Sequence, residues 1–157
     1  MWALTEGRRL RRHFGYEGRV EVDDLAEALG LEVLAWPLAG RVQEVLMEGV
    51  VAIGDDLGPQ ERRWAVAHAI GHHLLHSGNL VYLRLATLLV PKLEREADDF
   101  AYGLLVDEGE ARRMGMSTVA EVADHFGVPA RAVAARAACR PPVVTERTPA
   151  RMATAAE

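Results

Sequence analysis

Between Arg62 and His76 the chain carries His68 and His72, four residues apart, in a stretch patterned as a helix. At 3.6 residues per turn, positions i and i+4 stack one turn apart on the same face. Two imidazoles placed in that way can reach one metal ion, and histidine with carboxylate is ligand chemistry that suits zinc. Zinc sites that hydrolyse peptide bonds add a glutamate beside the first histidine, H-E-x-x-H, as general base. That position here is Ala69. The metal-binding half of the motif is present, and its proton-transfer group is missing. A histidine pair at this spacing is a weak signal alone, because it also arises by coincidence on a surface or in a core.

The elements that would position the pair strengthen it. The helix is expected from about Pro59 to His76, with Trp64, Ala67, Gly71, Leu74 and Leu75 as its buried stripe. His68 and His72 border that stripe, His76 continues their line, and His73 points away. Gly71 inside a helix costs roughly 1 kcal/mol relative to alanine, which another backbone approaching closely would justify. A second helix is expected from Pro91 to about Val106, with Leu93, Ala97, Phe100, Ala101, Leu104 and Leu105 on its core side. Glu94 lies at the edge of that side, Glu96 off its other edge, and Arg95 faces outward. A carboxylate turned toward a core needs a partner, and a metal is one. His68, His72 and Glu94 would supply three ligands, the number in a catalytic zinc site; structural sites usually take four. Glu96 is the rival third ligand and His76 a weaker one.

The remaining chain reads as a small α+β unit. A helix over Ala3 to Phe14 has a basic face of Arg8, Arg9, Arg11 and Arg12, read as solvated surface. Gly15 and Gly18 break it. Val22, Leu25, Ala26 and Leu29 recur at helical spacing, with Gly30 as C-cap. Leu31 to Leu38 reads as a strand, and Pro37 suggests an edge or a strand end. Gln43 to Met47 and Val50 to Gly54 form a hairpin across Glu48-Gly49. This gives a three-stranded sheet packed beside the histidine helix and the Glu94 helix. The apolar run Leu80 to Val90 is a helix or a covering loop. Three short helices follow, Glu108 to Met114, Thr118 to Phe126 and Ala130 to Cys139, the last two as a helical hairpin. The expected divisions are an N-terminal helix over 1–20, a core over 21–107, C-terminal helices over 108–139 and a flexible tail over 140–157.

Bulk properties narrow the function. The chain has 157 residues and a formal net charge of -5, which argues against a general nucleic-acid binder. Arg131, Arg136 and Arg140 on the last helix are placed to meet phosphates, but alanine fills the rest, with no Asn, Gln or Ser for base edges. Packing of the hairpin onto the core is the better fit. One cysteine, Cys139, excludes an internal disulfide and a cysteine-based zinc site. No stretch has the pattern of a signal peptide or the length of a membrane span, so a cytoplasmic protein is expected.

The segment Trp64 to His76 resembles the active helix of the ImmA/IrrE-type zinc metallopeptidases. Glu94 to Leu105 resembles their second-ligand helix, and Gly30 to Gly54 is similar to their small sheet. The resemblance spans roughly Val22 to Val106, and Thr118 to Arg136 is similar to the helix-turn-helix-like tail of many members. A Met-Pro pair usual after the Leu-Leu run is absent. The resemblance implies that His68, His72 and Glu94 bind zinc and that Asp98, at i+4 from Glu94, orients a ligand histidine through its other ring nitrogen. It also implies an endopeptidase acting on a regulatory protein, commonly a helix-turn-helix repressor.

Ala69 departs from that pattern, because the family's glutamate there deprotonates the attacking water and passes the proton to the leaving amine. Loss of such a group typically removes on the order of 10²–10⁴ in rate, and His76 or Tyr82 would replace it only if folded nearby. Two histories give an otherwise intact site with Ala69: one targeted replacement in a working enzyme, or a relative that keeps the ion for structure or binding. The competing readings are a non-catalytic pseudo-peptidase that sequesters a protein partner and a DNA-associated regulator using the C-terminal helices.

Overall fold

The computed structural model describes residues 1–38, 40, 42–76 and 90–139. The expected segment Leu80 to Val90 falls mostly outside these residues; Tyr82, Arg140 and the tail over 140–157 fall wholly outside them. The described residues form seven helices and three strands, an α+β fold. In chain order these are α1 (Trp2–His13), α2 (Val22–Ala28), β1 (Glu32–Trp36), β2 (Glu44–Met47), β3 (Val50–Gly54), α3 (Pro59–Leu75), α4 (Val90–Leu105), α5 (Glu108–Arg113), α6 (Val119–Phe126) and α7 (Ala130–Ala138).

The sheet order is β1-β3-β2, with β3 central. β2 and β3 form the antiparallel hairpin, turning through Glu48 at φ 50° and Gly49 at φ 84°, the left-handed pair a tight hairpin requires. β1 pairs parallel with β3 and ends just before Pro37. Paired residues share a face. Val33, Ala35, Leu46, Val51 and Ile53 therefore turn one way, and Val51 and Ile53 are fully buried. Glu44 pairs with Ile53 and so lies on that same inward face.

α3 occupies the centre, packed against α2, β2, β3 and α4. Every residue from Trp64 to His72 is buried, so its middle is enclosed all round rather than along one stripe. Leu74, expected in the stripe, is instead exposed on the last turn. α3 and α4 cross at Gly71, where a Cβ would lie 3.1 Å from the Phe100 ring and 3.3 Å from the Ala97 Cα. Glycine at 71 thus lets the two helices that carry the site come together, one turn from both histidines.

The basic face of α1 is not wholly solvated. Arg11 is buried, and its guanidinium donates to the Leu104, Leu105 and Gly18 carbonyls at 3.1, 3.3 and 2.6 Å. It thereby caps the C-terminus of α4, where unpaired carbonyls and the helix dipole favour a cation. Arg19 and Arg63 do the same for α6, donating to the His125 and Gly127 carbonyls at 3.0 Å each. The C-terminal hairpin packs on the domain: Arg131 pairs with Glu61 and lies over Trp64, and Arg136 lies over Tyr102 beside Asp99.

Candidate metal centre

His68 and His72 project from adjacent turns of α3, and Glu94 and Asp98 from adjacent turns of α4. One ligand atom each from His68, His72 and Glu94 lies within 4.8 Å of the other two. The Nε2 atoms of the imidazoles are 2.9 Å apart. The Glu94 carboxylate lies 3.2 Å from the first and 3.5 Å from the second. Both histidines are buried and Glu94 is half-buried.

The hydrogen bonds around the rings select their tautomers. His68 Nδ1 donates to the Asp98 carboxylate at 2.9 Å, so in the neutral ring Nε2 carries the lone pair. His72 Nδ1 lies 3.0 Å from His76 Nδ1, and His76 Nε2 lies 3.0 Å from Glu96. With Glu96 ionised and both rings neutral, protons run from His72 to His76 to Glu96, and His72 Nε2 likewise carries a lone pair. Two ring nitrogens facing each other at this distance need a proton or a metal ion between them. Two nitrogens bonded to one zinc at roughly 2.0–2.1 Å each sit about 3 Å apart, so the donor set fits a divalent ion. Partners on the far ring nitrogens are also what ligand imidazoles require.

Electrostatics agree. Burial works against a charge on His68, but hydrogen bonds to Asp98 and Glu94 and the nearby Glu44 carboxylate outweigh it and hold this imidazole up to about 9. Burial pushes His72 down and adjacent His68 adds to this, against the pull of Glu94. The surroundings of His68 thus favour a positive charge.

Glu96, the rival ligand, lies outside the cluster, within reach of His76, the Trp2 indole and Lys92. His76 is not a surface group but the link between His72 and Glu96. Ala69 is fully buried in the apolar core. Sequence reasoning missed Glu44, whose Oε1 lies 3.6 Å from His68 Nε2 with the side chain 15% exposed. Only the register marks it: pairing with Ile53 turns Glu44 to the inward face of the hairpin. A cavity of about 550 Å³ opens beside the cluster, lined by Glu44, Trp64, His68, Glu94, Asp98 and Arg131.

Two buried histidines one turn apart on one helix, facing a carboxylate from a neighbouring helix, form a three-donor group that could hold one metal ion. Residues 26–138 match the model of the family Peptidase_M78, the IrrE N-terminal-like domain, and the chain belongs to that family. Its fold is similar to a solved structure described as a Mycobacterium tuberculosis transcriptional regulator, with TM-score 0.65 and 19% identity over 89% of this chain. That match spans 48% of the regulator, so this chain covers about half its length. No curated protein matches the chain by sequence.

Proposed function

We propose that the chain is a zinc-binding peptidase domain of the ImmA/IrrE type that engages a regulatory protein, a helix-turn-helix repressor being the candidate, and cleaves it poorly or not at all. The observation that supports it most is the convergence of His68, His72 and Glu94, with both far ring nitrogens already partnered. Zinc held there would supply a Lewis acid for a peptide carbonyl.

The chain's own residues do the rest. Asp98 fixes the His68 ring, and the His76–Glu96 pair fixes that of His72. β2 is an edge of the described sheet, and Val42, Gln43 and Glu44 line the cavity. An extended peptide can pair with such an edge and lie across the centre. What fails is proton transfer: the Ala69 methyl can neither accept a proton nor return one to a leaving amine. No membrane-crossing helix occurs among the described residues.

A regulatory partner fits the family and the description of the similar structure. A direct DNA role has less support, because Arg131 and Arg136 are engaged within the chain. Incubation with a candidate repressor tests the reading. The zinc-loaded chain is expected to co-elute with an intact repressor. Efficient cleavage, or no association with any candidate, counts against it.

A further inference from the structure

We propose that Glu44 is a fourth ligand of the ion, occupying the coordination position that a catalytic zinc site leaves for water. This rests on the zinc reading above and concerns the same centre.

Glu44 approaches from β2, which packs on α3. Its partner across the hairpin is Ile53, 1% exposed, and the next inward pair is Leu46 with Val51. A carboxylate among such residues is costly unless a positive charge meets it. It points at the metal-facing nitrogen of His68, 3.6 Å away, and not at the Nδ1 side held by Asp98. The three helix-borne donors form the tighter group, so Glu44 closes onto the ion by turning about its own side-chain bonds.

Four protein ligands are the hallmark of structural zinc sites, three plus an open position that of catalytic ones. Alanine at 69 leaves the motif's general-base position without a carboxylate. A His₂Glu₂ centre would instead tie the sheet to α3 and α4, giving the ion a structural role.

The test uses the metal-stripped full chain, titrated with Zn²⁺ and with Co²⁺ as a spectroscopic probe, and the Glu44→Gln variant. The Co²⁺ spectrum of the unsubstituted chain is expected to be unmoved by azide. In Glu44→Gln, zinc affinity should fall by more than the roughly 10–100-fold that a ligand's hydrogen-bonding partner contributes, and azide should now shift the Co²⁺ spectrum. Circular dichroism of the metal-free variant checks its fold, and the azide response of the unsubstituted chain decides the matter even if the variant unfolds. An azide-induced shift in the unsubstituted chain, or undiminished zinc affinity in folded Glu44→Gln, overturns the inference and leaves the three-ligand site standing. A chain that takes up neither metal overturns both.

Discussion

Gly7 of α1 and Gly103 of α4 meet backbone to backbone. A Cβ on Gly7 would lie 2.2 Å from the Phe100 carbonyl oxygen, and one on Gly103 2.2 Å from that of Leu4. The contact seats α1 along the helix that carries Glu94 and places Arg11 over that helix's C-terminus. Alanine at either position must push the helices apart. Gly7→Ala and Gly103→Ala are each expected to cost about 1–3 kcal/mol, the range of core overpacking, read as a lower Tm. Zinc affinity should fall with it, because α4 moves. Variants that melt with the parent would show that the helices slide apart at no cost.

The supports of the imidazoles should be separable from the ligands. Asp98→Ala and Glu96→Gln are each expected to lower zinc affinity by roughly 10–100-fold while leaving one binding site. Asp98 is more than half exposed, so its effect belongs at the lower end. Isothermal titration with Zn²⁺ measures both. If Glu96→Gln binds as tightly as the parent, the His76 link does not orient His72.

Ala69 and Glu44 should act together in catalysis. Ala69→Glu puts a carboxylate where H-E-x-x-H carries its general base; with Glu44 filling the open position as proposed, cleavage of a bound repressor should stay near background. Ala69→Glu with Glu44→Gln should raise it by on the order of 10²–10⁴ over the chain as it stands. If the single variant is already as active as the double, Glu44 does not block the position.

Acid should weaken the C-terminal attachment through Glu110. Burial works against its charge, but hydrogen bonds from His125 and the Gly18 amide and the nearby Arg11 outweigh this, holding the carboxyl below its ordinary 4.5. A group depressed in the folded state stabilises the fold above its unfolded value, and that contribution is lost as pH falls through the folded value. Glu110→Gln should therefore lower Tm at neutral pH, and the gap should narrow as pH drops below about 4.5. A pH-independent gap would place the effect in packing rather than charge.

Local patterns carried much of this architecture. The Pro59 start of α3, the Glu48-Gly49 turn, the apolar face of α4 and the Gly127 break before α7 are all written in neighbouring residues. So is the spacing of His68, His72, Glu94 and Asp98, since i and i+4 on a helix fix a shared face. What the chain hid was long-range. The parallel pairing of β1 with β3 depends on packing beyond either strand. Arg11 read as surface because the helix end it caps is 93 residues away in sequence. His76 read as a helix-end residue because its partner Glu96 comes from α4. Glu44 was passed over because a lone glutamate in a short strand says nothing until its inward register is known.

Zinc titration of the metal-stripped chain beside His72→Ala asks whether the paired imidazoles hold an ion. One saturable site is expected in the parent, and its loss in the variant, with the fold retained. No saturable uptake by the parent, or equal affinity in His72→Ala, would contradict that reading.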